Sequence, residues 1–279
     1  MVTAQAMQQI DGVLNGVQFI THPRFGFLHC DGTRYAEDVW VQEDGFVGPP
    51  TRTALRVPKP AGERRLFLLG SSPMLACAQQ RYADTCQAHL ERLLPGWTVV
   101  NAAVGGFFSA QELARLSQEL VFLEPDAVAV VDGYNDYRQW EVGTRKPEDS
   151  HANLTALETR QWGIQEGHAV IPNSVDTLFL NWQMMGGIGF VRRFPIRFLL
   201  QPMRVHPENR LLAEYRATAA QRLRELFSMA PGAFHDATTL FDDHPERYFV
   251  DNAHYTALGN TILAEQLVRL LTSPMKEAP

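Results

Sequence analysis

Short apolar runs that alternate with helical patterns constrain the fold of this chain more than any other feature. Residues 66–69, 97–100 and 127–131 form mostly apolar runs of the length expected for strands buried on both faces. Segments with apolar residues at helical spacing follow, as in residues 82–94 and 109–123. Alternating strands and helices predict right-handed βαβ units. We therefore expect an α/β fold, a three-layer α/β/α sandwich with a central parallel sheet.

The remainder of the chain divides by its patterning. Residues 1–64 are rich in Gly, Pro and aromatic residues without a sustained period, and we expect an irregular N-terminal extension packed on a core domain of residues 65–279. Residues 138–195 predict an insertion that partly covers the site as a lid. Its apolar members are Trp162, Trp182, Met184 and Met185.

Further strands are expected at residues 198–200 and 233–238, and further helices at 209–227 and 256–271. The pair Ser109 and Glu112 has the spacing of a capping box, which predicts the start of the second helix.

Composition excludes several classes of function. The formal net charge of −6 and the lack of any run of like charges argue against a nucleic-acid partner. No apolar stretch reaches the ~18 residues of a membrane-spanning helix. The odd cysteine number without CxxC spacing (Cys30, Cys77 and Cys86) suits a reducing compartment. The first 20 residues lack the pattern of a signal peptide, so we expect a cytoplasmic protein, a leader removed from the sequence being left open.

No metal or cofactor is expected. Acidic turns and solvated charges account for the one cluster of possible metal ligands, whose spacing does not demand three ligands on one face. That cluster comprises His235, Asp236, Asp242, Asp243 and His244.

The carboxyl ends of the predicted strands select three candidate site loops, at residues 70–72, 101–106 and 132–136, because ligands bind there in open α/β sheets. Ser71 and Ser72 follow the first strand, where a hydroxyl is either a nucleophile or a helix cap.

Asp251 and His254 have a spacing that brings carboxylate and imidazole within reach of each other. The carboxylate can then fix the tautomer of the imidazole, which removes a proton from a serine. A surface ion pair or a helix N-cap explains the same spacing.

Four segments of the chain resemble, in order, the sequence blocks of the SGNH (GDSL-like) hydrolase family. They are residues 69–72, residues 101–109 with Gly105 and Gly106, residues 133–136 (Gly-Tyr-Asn-Asp), and residues 251–260, which begin with the DxxH pattern. The resemblance covers residues 65–271 and implies a flavodoxin-like order of strands. Ser71 stands where the family usually has an acidic residue.

The resemblance implies a role for each matching residue. Ser72 is the expected nucleophile, His254 the base and then the acid, and Asp251 the residue that orients His254. The backbone N–H groups of Ser72 and Gly106 and the side-chain amide of Asn135 are the expected oxyanion donors. A shift of the turn by one residue makes Ser71 the reactive hydroxyl. Without the resemblance, Gly105 and Gly106 are explained by a tight turn, and Asn135 and Asp136 by an Asx turn.

The expected activity is that of an esterase, which acts on a small-molecule ester or another acylated substrate. Two alternatives remain open: an acyltransferase that uses the same acyl-enzyme, and a non-catalytic binding protein on this scaffold. The α/β-hydrolase fold is disfavoured because its GxSxG motif is absent. The sequence does not indicate the oligomeric state.

Overall fold

The computed structural model of the protein describes residues 9–14, 17–76, 81–138, 174–227 and 232–273. The described strands are β1 (Gln9–Leu14), β2 (Val17–His22), β3 (Gly26–His29), β4 (Arg34–Ala36), β5 (Val39–Val41), β6 (Val47–Gly48), β7 (Arg64–Gly70), β8 (Trp97–Asn101), β9 (Ala127–Asp132), β10 (Ile196–Leu200) and β11 (Phe234–Asp236). The described α-helices are α1 (Cys86–Leu93), α2 (Ser109–Gln118), α3 (Ser174–Arg192), α4 (Arg210–Phe227), α5 (Pro245–Tyr248) and α6 (Ala257–Thr272).

Strands β7 to β11 form the parallel part of the central sheet, in the order β8-β7-β9-β10-β11. Numbered from β7 this is the order 2-1-3-4-5 of flavodoxin-like folds, with its switch point between the first and third strands. The predicted α/β/α fold with this strand order is confirmed. The carboxyl ends of these strands all meet at one edge of the sheet.

The N-terminal segment contains regular strands, which differs from the expectation of an irregular extension. Strands β4, β5 and β6 continue the main sheet in antiparallel fashion, and β6 pairs with β8 through Val47 and Asn101. Strands β1, β2 and β3 form a separate antiparallel sheet. The central sheet is therefore mixed rather than wholly parallel. Strands of two to four residues, such as β3 to β6, are too short to show a period in the sequence. The domain boundary near residue 64 stays a prediction.

The sheet separates two layers of helices. On one face, α1 and α6 pack against each other, and Leu90 and Leu267 lie in one cluster with Leu66 and Leu68 of the sheet. On the other face, α2, α3 and α4 contribute to a cluster around Phe198. A third, smaller apolar cluster contains Phe27 and Phe107.

Helix α3 occupies much of the range that was predicted to be a lid. Trp182 has no exposed surface and stacks on Phe198 and Phe234 of the sheet, at centroid distances of 5.1 and 6.1 Å. Met185 is also buried, whereas Met184 is about half exposed. Residues 174–192 thus form a helix that contributes to the core, and the lid over residues 138–195 stays a prediction. Residues 139–173, including Trp162, lie outside the described residues.

The predicted capping box at the start of α2 is wrong. Ser109 and Glu112 are both fully buried, and the Ser109 side chain bonds to Asp136 instead of to its own helix. The side chain of Gln111, not that of Glu112, accepts a hydrogen bond from the backbone N–H of Phe108. None of the helices in the described ranges has the length and apolar character needed to cross a bilayer.

Candidate active site

The turn after β7 places two serines in different environments. Gly70 ends the strand with φ +152°, and a Cβ on it would lie 2.7 Å from the Val131 carbonyl oxygen, so glycine is required there. Ser71 then points inward and is fully buried, without a hydrogen-bond partner for its Oγ among the described residues. Ser72 is partly exposed and opens a single 3-10 turn that extends to Met74.

His254 reaches Ser72 from the loop before α6. Its Nε2 lies 2.9 Å from Ser72 Oγ, and its Nδ1 lies 2.6 Å from Asp251 Oδ2. The carboxylate can only accept, so the network assigns the imidazole proton to Nδ1 and leaves Nε2 to accept the serine hydroxyl. The three predicted residues are therefore joined in one hydrogen-bonded chain, and Ser72, not Ser71, faces the imidazole.

Asp251 is held as a carboxylate. Burial acts to raise its pKa, but hydrogen bonds from the His254 side chain and from the N–H groups of Ala253 and His254 outweigh that effect and lower the pKa to about 2. Both backbone bonds go to Oδ1, at 2.8 and 2.9 Å, which leaves Oδ2 for the imidazole. Asp251 thus stabilises the turn of residues 251–254 with one carboxylate oxygen and orients the His254 imidazole with the other.

Backbone contacts hold this loop against the sheet edge. The Val250 N–H donates to the His254 carbonyl at 2.8 Å, and the Arg204 N–H donates to the Asn252 carbonyl at 2.9 Å. Tyr255 is buried, and its hydroxyl donates to the Pro202 carbonyl. The loop after β10 therefore supports the loop that carries His254.

The two predicted oxyanion donors lie in neighbouring loops. Gly106 has φ +85°, and its N–H has no hydrogen-bond partner among the described residues. Asn135 Nδ2 donates to the Phe107 carbonyl at 2.7 Å, which links the loop after β9 to the loop after β8. The latter loop contacts the serine turn, since the Val104 N–H donates to the Gly70 carbonyl at 3.2 Å. The structure thus brings the loops of Ser72, Gly106 and Asn135 together.

Asn101 is a supporting residue that the sequence did not single out. Its side chain is buried at the end of β8, where Nδ2 donates to the Met74 carbonyl at 2.8 Å and Oδ1 accepts from the Ala103 N–H at 3.1 Å. It therefore ties the serine turn to the second site loop. In the sequence, Asn101 was marked only by its place after a predicted strand and at the start of the block of residues 101–109.

Three buried carboxyl groups lie behind these loops, on Glu112, Asp132 and Asp136. Burial, together with the charges of the neighbouring carboxylates, raises the pKa values of Glu112 and Asp132 well above their usual range. Burial also raises the pKa of Asp136, but hydrogen bonds from Ser109 oppose this and hold it at about 6. Asp136 is therefore the member of the group that ionises most readily.

The cluster near residue 240 forms ordinary surface contacts. Asp242 accepts both terminal nitrogens of Arg216, at 2.7 and 2.9 Å, and His244 lies 3.6 Å from Glu246. Across the described ranges, no group of three or more His, Cys, Asp or Glu side chains is placed to hold a metal ion.

Comparisons with known proteins link this geometry to a fold. The chain matches no protein-family model, and no curated protein is similar to it in sequence. Among solved structures, it resembles the lipase Lip_vut3 from a goat rumen metagenome, with a TM-score of 0.53 and 16% identity over 74% of this chain and 97% of that one. It also resembles Axe2, an acetylxylan esterase from Geobacillus stearothermophilus, with a TM-score of 0.50 and 18% identity over 76% and 95% of the two chains.

A further similar structure is a putative lipolytic protein of the G-D-S-L family from Desulfitobacterium hafniense, with a TM-score of 0.50 and 13% identity over 74% and 98% of the two chains. The chain therefore has the fold of SGNH (GDSL-like) hydrolases, as its sequence blocks predicted.

Proposed function

We propose that this protein is a serine hydrolase that cleaves a carboxylic ester through an acyl-enzyme on Ser72. The observation that carries the proposal is the hydrogen-bonded chain from Ser72 Oγ through His254 to Asp251 at the carboxyl edge of the sheet. A serine hydroxyl is a poor nucleophile until a base removes its proton, and this chain supplies the base and the group that orients it. The fold shared with lipases and esterases supports the same reading.

In the first half of the reaction, Ser72 Oγ attacks the ester carbonyl carbon while its proton passes to His254 Nε2. The carbonyl oxygen becomes an oxyanion, and its donors are the N–H groups of Ser72 and Gly106 and the amide of Asn135. Each such donor typically contributes about 3–4 kcal/mol to the transition state. The intermediate collapses, the C–O bond to the alcohol breaks, and His254 returns the proton to the departing oxygen.

In the second half, His254 accepts a proton from water, and the resulting hydroxide attacks the acyl carbon. Collapse of the second tetrahedral intermediate breaks the bond to Ser72 Oγ, which recovers its proton from His254. The products are a carboxylic acid and an alcohol. The substrate is a small-molecule ester or another acylated compound.

Covalent labelling tests the nucleophile. A serine-reactive phosphonate should modify Ser72 in the wild type, as located by peptide mass spectrometry, and the label should be absent from Ser72→Ala. Ser71→Ala is the matched control and should still be labelled, because Ser71 is buried away from His254. Wild-type protein that stays unlabelled would overturn the proposal.

Product analysis separates hydrolysis from the two alternatives. Short-chain chromogenic esters are incubated with and without an acceptor alcohol, and free acid should be the main product in both cases. A product dominated by the new ester identifies an acyltransferase, since both reactions use the same acyl-enzyme. Binding of the ester without turnover identifies a binding protein.

A further inference from the structure

The side chain of Asp136 joins the two loops that carry Gly106 and Asn135. The role of these two residues as oxyanion donors rests on the proposed function. Asp136 Oδ2 accepts the backbone N–H of Ser109 at 3.1 Å, and Oδ1 accepts the Ser109 hydroxyl at 2.5 Å. Both residues are buried. Because Ser109 is the first residue of α2, the carboxylate of the β9 loop fixes the point where the β8 loop enters its helix.

Helix α3 adds a third member to this network. Asn181 Nδ2 donates to Ser109 Oγ at 2.8 Å, and Asn181 is buried. Burying a polar group costs free energy unless the group is hydrogen-bonded. The hydrogen bonds among these three side chains replace the hydrogen bonds to water that each side chain loses on burial. Three elements are therefore held at one point by Asp136, Ser109 and Asn181, which we call the Asp136 clamp.

The clamp lies directly beside both oxyanion donors. Asn135 immediately precedes Asp136, and its amide donates one N–H to the carbonyl of Phe107, which immediately follows Gly106. A side-chain amide has two N–H groups, so this bond fixes the amide plane and leaves the second N–H to act on substrate. Any shift of α2 relative to the β9 loop would change the separation of the two donors.

The surroundings of Asp136 suit a single negative charge. Glu112 and Asp132 face it from α2 and β9, and the Tyr215 hydroxyl approaches from α4, where it donates to the Gly133 carbonyl at 2.8 Å. Like charges in one buried site disfavour ionisation of more than one member. Two donors from Ser109 select Asp136 as the member that carries the charge, and a charged acceptor makes stronger hydrogen bonds than a neutral one.

We propose that Asp136, Ser109 and Asn181 are positioning residues that set the spacing of the Gly106 and Asn135 oxyanion donors without touching substrate. A charged clamp inside the core holds this spacing before substrate arrives, which is what oxyanion stabilisation requires.

The test uses Asp136→Asn and Ser109→Ala in the full chain. Both variants should lower kcat about 10- to 100-fold with KM within about twofold, because loss of an oxyanion donor costs about 10²- to 10³-fold and here the donors are displaced rather than removed. The phosphonate should label Ser72 more slowly in proportion. Asp126→Asn is the matched control: Asp126 accepts the Arg65 N–H at 2.7 Å at the opposite edge of the sheet, so its loss lowers the melting temperature without lowering kcat.

A readout independent of activity separates the clamp from the proposed function. The side-chain amide of Asn135, assigned by its absence in Asn135→Ala, should give two resolved and slowly exchanging proton signals in the wild type. In folded Ser109→Ala these signals should shift together and exchange faster, and they should stay unchanged in Asp126→Asn. Should Asp136→Asn fail to fold, Ser109→Ala and Asn181→Ala supply the same comparison.

Folded clamp variants with wild-type kcat and unchanged Asn135 signals would overturn the clamp, whatever the reaction. An unlabelled wild type with Asn135 signals that respond to Ser109→Ala would overturn the proposed function and leave the clamp standing as a structural link.

Discussion

Ser71 and Ser72 are chemically identical neighbours, and only their surroundings distinguish them. The strand end at Gly70 turns Ser71 into the core and Ser72 toward His254, whose Nε2 lies 2.9 Å from Ser72 Oγ. Sequence patterns cannot resolve such a choice, because a shift of one residue changes which side chain faces the edge of the sheet. The choice depends on backbone geometry that tertiary packing sets.

Asp251→Asn should lower kcat/KM about 10³- to 10⁴-fold on chromogenic esters, by analogy with the orienting Asp of serine proteases. The amide of the variant presents an N–H to His254 Nδ1, which favours the tautomer with its proton on Nε2. That tautomer cannot accept the proton of Ser72. Asp243→Asn is the control, since Asp243 lies in an acidic turn near residue 242, and it should retain wild-type activity. Equal activity of the two variants would contradict the role of Asp251.

Glu112→Gln should flatten the dependence of stability on pH. Burial raises the pKa of Glu112 in the folded state above its unfolded value, so the folded state binds the proton more tightly. This contribution to the free energy of unfolding is complete below about pH 4 and is lost as pH rises through the folded-state pKa. Gln mimics the protonated acid and does not titrate.

Urea denaturation between pH 5 and 9 measures this effect. The wild type should lose stability with rising pH more steeply than Glu112→Gln, and exposed Glu246→Gln should follow the wild type. Parallel curves for the wild type and Glu112→Gln would contradict a buried, protonated Glu112.

At the scale of elements, α3 shows why a buried helix is hard to recognise. A helix on the surface of a core shows one apolar stripe, whereas α3 has buried residues such as Trp182 and exposed apolar residues such as Phe190 and Val191. Without a polar face the period of 3.6 residues is not visible. Trp182, one of the residues that suggested a lid, packs against Phe198 of β10 and Phe234 of β11.

Trp182→Ala should lower the free energy of unfolding by about 3–5 kcal/mol, because a large buried aromatic side chain is replaced by a cavity. Met184→Ala, two residues later on the exposed side of the same helix, should change it by less than about 0.5 kcal/mol. Urea denaturation followed by circular dichroism measures both variants. A small effect of Trp182→Ala would mean that α3 is not part of the core.

At the scale of the whole molecule, the N-terminal strands complete the sheet. Phe46, beside β6, packs edge-on against Phe67 of β7 with their centroids 5.9 Å apart, and β6 covers the edge of β8. Further out, Phe27 packs edge-on against Phe107, next to Gly106, at 5.4 Å. The extension therefore contributes to the core and supports a site loop.

A chain that begins at Glu63 should lose thermal stability and bind more of the dye ANS, because the truncation opens the edge of β8 and removes Phe46 from its cluster. Of the described strands, a chain that begins at Val17 lacks β1 alone, which belongs to the small sheet, and this chain should resemble the full protein. Differential scanning calorimetry and ANS fluorescence make the comparison. An unchanged melting temperature for the chain that begins at Glu63 would show that the main sheet is stable without β4 to β6.

Sequence patterns predicted what is local or repeated along the chain. The buried runs that became β7, β8 and β9 are continuous in sequence, and the spacing of Asp251 and His254 is that of one turn. The Asp136 clamp was missed because Ser109, Asp136 and Asn181 come from three distant segments of the chain. The residues next to each of them in the sequence do not indicate a buried hydrogen-bond network. The strands of the extension were missed because β4 to β6 are too short to show alternation.

The hydrogen bond between Ser72 and His254 spans 182 positions of the chain, which has a consequence for biosynthesis. At about 5–20 residues per second, a ribosome completes His254 roughly 10–40 s after Ser72. If Ser72 is the nucleophile, as proposed, a nascent chain that lacks His254 has no base to activate it and should be inert toward esters. Ester cleavage would therefore report that the chain has been made and folded at least as far as His254, and fragments that end before His254 would be silent.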